Sequence, residues 1–186
     1  MAIHFSTGAP ENTVGKLGGW IPEIERAALI ADSAGGAVVN LSQGYKVRYL
    51  SFQDVGLGKL TDAEYTERWR HLIVSEPHTY GEIELDESLD PFALYQGEAK
   101  DGFNAAIKRS EEIKGDYEAS VIEIPALRFI GLWLHNEAED LIMPYPPNAT
   151  ALENYRSTSV GNALAVLQPL AQELLKTSAG SEPTGG

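Results

Sequence analysis

Apolar residues are densest between residues 117 and 134, where β-branched and aromatic side chains are too frequent for an ordinary surface helix. Both faces are apolar when the run is read at a period of two, which is typical of a strand covered on both sides. Pro125 inside the run predicts a bulge or a free edge. A polar turn at 135–140 and an apolar return at 141–145 complete a hairpin, so we expect the core at 117–145.

Four segments repeat apolar residues at the helical period. The clearest opens at Thr61-Asp-Ala-Glu64, which has the spacing of a capping box, and should end before Pro77. Another opens at Asp90-Pro91, with aspartate as the cap and proline in the first turn, and its apolar stripe continues to residue 113. The remaining two predicted helices span residues 20–34 and 160–175.

Shorter segments have the composition of strands. Residues 37–42 and 45–52 flank Gln43-Gly44, and this spacing predicts a hairpin with a two-residue turn. Glu82-Ile-Glu-Leu85 alternates, so we expect a short edge strand whose outward carboxylates discourage further pairing. Together with the central hairpin, these elements predict an α+β fold in which a mainly antiparallel sheet of about four to six strands packs with about four helices.

The composition is that of a chain able to bury one sizeable core, with 186 residues of which 43% are hydrophobic. Residues 1–19 are rich in Gly, Ser, Thr, Asn and Pro and predict an irregular arm. We expect a single α+β domain over 20–176. The low-complexity segment 177–186 lacks apolar residues to bury, so it predicts a disordered tail.

The net charge of −13 makes nucleic acid and anionic lipid improbable partners, because the sequence offers no basic surface to attract them. Residues 61–145 carry seven basic and nineteen acidic side chains, so the acidic excess lies in the middle of the chain. There is no cysteine, and the first residues lack the basic and apolar regions of a signal peptide. We therefore expect a cytoplasmic protein.

The motifs that would define a cofactor or metal site fail their spacing tests. Lys16 and Lys59 each follow glycine, but each precedes leucine where a phosphate loop needs Ser or Thr. A calcium-binding loop that began at Asp86 would need Gly at its sixth position and Glu at its twelfth. The sequence has Pro91 and Gly97 at those positions. The four histidines have no recognised ligand spacing. The sequence predicts no cofactor and no metal site.

The candidate functional residues belong to the predicted central strand. Glu123 and Arg128 interrupt its apolar faces, on opposite sides, and His135 stands at its end. Burial beside aromatic side chains shifts the pKa of a carboxyl or imidazole group, so Glu123 and His135 are the candidate catalytic residues. Arg128 and Trp133 are the candidate ligand-binding residues. A charged interruption is more often a strand end, a register change or a snorkelling side chain.

Two hypotheses about function follow from these patterns. The first is a non-catalytic module that binds another protein or associates with itself, since an acidic surface and an edge strand are predicted while no catalytic motif is present. The second is a small-molecule-binding protein or acid–base enzyme with a cup-shaped pocket beside the central strand. The second requires Glu123 or His135 to converge with Arg128.

Overall fold

A computed structural model describes residues 3–5, 40–41, 44–62, 64–75, 78–95 and 98–179. The predicted helix at 20–34 lies outside the described residues, as do most of the N-terminal arm and the tail from residue 180. Among the described residues, no helix is long and apolar enough to cross a membrane.

The described strands join into one sheet of ten, three of which contain only two or three residues. They are β1 (Ile3–Phe5), β2 (Asn40–Leu41), β3 (Tyr45–Tyr49), β4 (Glu64–Ser75), β5 (His78–Leu85), β6 (Pro91–Tyr95), β7 (Tyr117–Ile124), β8 (Phe129–His135), β9 (Asp140–Pro144) and β10 (Thr158–Ser159). Their order is β10-β9-β8-β7-β3-β4-β5-β6, with β1 also paired to β7 and β2 to β4. The pairing is antiparallel except where β7 meets β1 and β3.

Three α-helices cover the two faces of this sheet within the described residues: α1 (Phe52–Gly56), α2 (Glu98–Ser110) and α3 (Val160–Ala179). α1 and α3 pack together over one face, and α2 packs over the other. The predicted C-terminal helix is confirmed as α3, with Pro169 inside it. The α+β class is therefore confirmed, but the sheet has more strands than expected and the described helices are fewer.

The sheet curls around α2. This helix contacts β5 near one end of the sheet and both β8 and β9 near the other. Four strands separate β5 from β9, so in a flat sheet they would lie about 24 Å apart at about 4.8 Å per strand. An α-helix with its side chains is only about 10–12 Å wide. One helix can touch both ends only if the sheet is strongly curved, with α2 on its concave face.

The apolar run at 117–134 is two strands and not one. Pro125 opens a short 3-10 turn, Pro125–Leu127, and Arg128 follows with φ of 49° in the left-handed region. β7 then pairs antiparallel with β8, from Glu118 opposite His135 to Ile124 opposite Phe129. The proline therefore lies in a hairpin turn, where a bulge or a free edge was expected. The predicted hairpin between β8 and β9 is confirmed.

The segment predicted as the clearest helix is the long strand β4. The capping-box residues form only a 3-10 turn, Leu60–Asp62, before the strand begins. Trp69 and Ile73, four apart as in a helical stripe, are also an even number apart, so in a strand they share a face. Arg70 is buried on the other face. Hydrogen-bonding neighbours on both sides of β4 outweigh its local helical preference.

Two other local predictions are corrected by long-range pairing. β2 and β3 do not form a hairpin with each other, because both run antiparallel to the same side of β4. The segment that opens at Asp90-Pro91 first forms the strand β6, and the helix begins only at Glu98. β5 is an internal strand between β4 and β6. Glu82 and Glu84 are consequently buried, where outward carboxylates were expected.

Candidate functional site

A buried network of charged and phenolic side chains occupies the concave face of the sheet. At its centre is Arg70, whose side chain is 2% exposed. Register places Tyr45 on β3 and Glu84 on β5 directly opposite Arg70, one on each side. Alternation along β5 and along β7 brings Glu82 and Glu123 to the same face. Five strand positions, distant in sequence, thus meet beneath α2.

The guanidinium of Arg70 uses each of its nitrogens. Nε donates to Oε2 of Glu84 at 2.7 Å, and Nη2 donates to the hydroxyl of Tyr49 at 2.7 Å. Nη1 donates to Glu123, and Nη2 also reaches the second carboxylate oxygen of Glu123 at 3.2 Å. The ring of Tyr95 lies 4.3 Å from the guanidinium carbon. Burial alone would lower the pKa of Arg70, but Glu123 and its other partners raise it, so the side chain is a permanent cation.

Glu84 is an ionised and fully satisfied carboxylate. It accepts hydrogen bonds from Arg70, from Arg68 at 2.9 Å and from the hydroxyl of Tyr95 at 3.1 Å. Burial would raise its pKa, but the charge of Arg70 and these hydrogen bonds outweigh burial and lower it. Because Tyr95 belongs to β6, this carboxylate also ties the last strand of the sheet to the network.

Glu82 is buried without comparable support. Its closest cationic nitrogen is Nη1 of Arg70 at 3.8 Å, and that nitrogen already donates to Glu123. Among the described residues, no group forms a hydrogen bond with Oε1 of Glu82 or with the buried hydroxyls of Tyr45 and Tyr145. Burial raises the pKa of Glu82, which Arg70 only partly offsets.

α2 closes the network from above through Phe103. Its ring stacks on Tyr45 with 4.7 Å between centroids and meets Tyr145 edge-on at 5.9 Å. The helix approaches so closely that a Cβ on Gly102 would lie 2.5 Å from the backbone oxygen of Pro146. Glycine at this position therefore sets the distance between α2 and the segment that follows β9.

The residues predicted from sequence do not converge. Glu123 is held in the network by Arg70, while Arg128 is exposed at the β7–β8 turn. Trp133 and His135 do meet, because Nε1 of Trp133 donates to Oδ1 of Asp140 at 2.9 Å and Nδ1 of His135 lies 2.7 Å from the same oxygen. Glu123 pairs across the hairpin with Ile130, which is five residues before His135 on β8. Glu123 and His135 are therefore about 16 Å apart along the strand direction.

The central residue of the network was missed by sequence reasoning. Arg70 belongs to a segment predicted as a helix, and Glu82 and Glu84 alternate as if on a solvated strand. No signal like that of Glu123 marked Arg70, because Glu67, Arg68 and His71 surround it in the sequence. What the sequence did not supply was the strand order that places these four residues together.

A second feature is the free edge of the sheet at β6. This strand ends the strand order, so within the described residues it is paired on one side only, to β5. Phe92 and Leu94 on this strand are 56% and 38% exposed, although both are large apolar residues. The guanidinium carbon of Arg68 lies 3.9 Å from the ring centroid of Phe92.

Charged side chains flank this apolar edge at both ends. The loop before β6 contains Glu87 and Asp90, and the first turns of α2 after it contain Glu98 and Asp101. All four carboxylates belong to exposed residues, and that of Asp101 pairs with Lys100 at 2.7 Å. The edge is therefore an uncharged strand, Pro91–Tyr95, between two acidic ends.

Two open clefts meet at Glu153, Arg156 and Ser157. Their cations are engaged locally, since Arg156 pairs with Glu153 and Arg109 with Glu112. Within the described part of the chain, no three His, Asp or Glu side chains are arranged to hold a metal ion.

Comparison of the chain with protein-family models, with curated proteins and with solved structures gives no match. The geometry of the network and of the β6 edge is what bears on function.

Proposed function

We propose that this protein is a non-catalytic module that binds a partner protein by adding an extended segment of that partner beside β6. An unpaired strand presents a row of backbone donors and acceptors, and a second strand can complete them. β6 has this open side within the described residues, and its exposed Phe92 and Leu94 supply apolar contact for alternate side chains of the incoming segment. The exposed edge is the observation that carries the proposal.

The charge around the edge selects the kind of partner. Carboxylates at both ends of β6 favour an apolar segment flanked by Lys or Arg. A second copy of this chain fits less well. Antiparallel pairing of two β6 strands would set the acidic loop of one copy, at 86–90, against the acidic start of α2 in the other, and like charges placed opposite each other are destabilising.

The buried network supports a structural role and not a catalytic one. The nitrogens of Arg70 are all occupied by Glu84, Glu123 and Tyr49, which leaves none directed at a substrate. The alternative, an acid–base enzyme using Glu123 and His135, requires two groups that lie about 16 Å apart along the hairpin to act on one ligand.

The proposal predicts that charge placed on β6 weakens partner binding. The test compares wild-type protein with the double variant Phe92→Lys/Leu94→Lys, each immobilised and exposed to an extract of the source organism. Lysine on the edge removes apolar contact and repels basic flanks, so we expect the specific partner to bind at least tenfold more weakly. A synthetic peptide of the bound segment, titrated by calorimetry, then measures the affinity directly.

Leu57→Lys is the matched control, because Leu57 is 68% exposed and follows α1, on the opposite side of the sheet from α2. Circular dichroism must show the same thermal midpoint for both variants. A partner that binds the β6 variant and the wild type equally, or a peptide that binds without dependence on β6, would refute the proposed site.

A further inference from the structure

Three buried oxygens beneath α2 have no hydrogen-bond partner among the described residues: Oε1 of Glu82 and the hydroxyls of Tyr45 and Tyr145. They are neighbours, because the charge of Glu82 acts on both phenols and Tyr145 also acts on Tyr45. They come from β5, from β3 and from the segment after β9. Unpaired buried polar atoms are rare in folded proteins, so each one requires a physical explanation.

The charges around these oxygens are unbalanced. Glu82, Glu84 and Glu123 face a single fully buried cation, Arg70, while Arg68 lies at the rim with 38% of its side chain exposed. Arg70 directs its short contacts to Glu84 and Glu123. Glu82 is thus the carboxylate with the longest and least compensating ion pair of the three, at 3.8 Å from Nη1 of Arg70.

We infer that Glu82 is a buried proton-binding site, which holds a proton in the folded protein at pH values where solvent-exposed carboxylates are already ionised. Protonation of Glu82 removes the least compensated negative charge from the interior, beside two phenols that belong to other parts of the curled sheet.

The other groups around Glu82 agree with this assignment. Burial raises the pKa of Glu82 most; Arg70 on β4 and Tyr45 on β3 lower it, whereas Glu123 on β7 and Glu84 on β5 raise it. Tyr95 of β6 is engaged with Glu84. The charged residues of α2 bring no cation to this site, because they are exposed or, for Lys100, paired with Asp101.

The sign of the pH dependence follows from linkage. A carboxyl whose pKa is higher in the folded protein than in the unfolded chain stabilises the fold below the unfolded value, near 4.3 for Glu. That stabilisation is lost as the pH rises through the folded value. Glu84, whose pKa is lowered, acts in the opposite sense, and its stabilisation is lost as the pH falls.

The test is urea unfolding of wild type and of Glu82→Gln over a pH series from 4 to 9. Gln mimics the protonated side chain, so the two proteins should be similar near pH 4. Above about 4.3 the unfolding constant of wild type should rise relative to that of the variant by about tenfold per pH unit, until the folded pKa of Glu82 is passed.

Glu87→Gln removes an exposed carboxylate from the adjacent loop. The unfolding constant of this control should follow that of wild type at every pH. The inference would be overturned if the stability of Glu82→Gln and that of wild type changed in parallel with pH. It would also be overturned if Glu82→Gln became less stable relative to wild type as the pH rises. Should that variant fail to fold, carbon NMR of the wild-type Glu82 carboxyl decides. A titration midpoint above 4.3 supports the site, and one at or below 4.3 refutes it.

Discussion

Arg70 is the residue on which the interior charge arrangement depends. Its guanidinium holds Glu84, Glu123 and Tyr49 at once from a position sealed from solvent. A buried ion pair repays its desolvation cost only when both partners are present, so removing the cation leaves carboxylates buried without compensation.

Replacing Arg70 with Met should lower the free energy of unfolding by about 3–5 kcal/mol at pH 7, measured by urea denaturation. The free energy of unfolding of Arg70→Lys should lie between those of wild type and Arg70→Met, because lysine keeps the charge but cannot make the forked contacts. Arg109→Met, which removes an exposed cation paired with Glu112 on the surface, should change stability by less than about 1 kcal/mol. Equal effects at both arginines would show that the network is not stabilising.

The sequence signals for these residues were partly readable. Glu123 was singled out because a charge interrupted an apolar strand, and the structure places it in the network with Arg70. Arg70 carried no such signal, because Arg68 and His71 lie beside it in a segment predicted as a helix. Glu82 and Glu84 could not be recognised as buried, because alternation reveals only that two residues share a face, and strand order decides which face is covered.

β4 and α2 show where local pattern and tertiary context diverge. The apolar spacing of β4 satisfied a helical period and a strand period together, and its neighbours β3 and β5 decided in favour of the strand. At residues 91–95 the helix-start signal was also overridden by pairing with β5. By contrast α3, which belongs to no sheet and has a clear apolar stripe, was correctly predicted.

Close packing of α2 gives a prediction about its glycine. Gly102→Ala should destabilise the protein by about 1–3 kcal/mol, because the added methyl group meets backbone that cannot move alone. This loss should exceed the gain of up to about 1 kcal/mol from replacing glycine within a helix. Gly161→Ala in α3 is the comparison, since nothing lies within 4 Å of its Cβ, and it should be neutral or stabilising. A stabilised Gly102→Ala protein would contradict the packing described for α2.

The described part of the chain combines a buried network of charges with a strand, β6, that is paired on one side only. Glu82, Glu84 and Glu123 are drawn into the concave face, while exposed carboxylates gather at the ends of β6. The buried carboxylates come together because the sheet curls around α2. The acidic ends of β6 lie at the edge because β6 is last in the strand order. The acidic excess could be read from the sequence, but its division between interior and edge required the topology.

Hydrogen–deuterium exchange by mass spectrometry, with and without the partner captured through β6, tests the proposed function most directly. Strand addition should slow exchange within residues 91–95 by at least tenfold and leave α3 unchanged, because the free backbone groups of the edge become hydrogen-bonded. Protection confined to another surface, such as the clefts around Glu153 and Ser157, with β6 exchanging as in the free protein, would contradict binding at this edge.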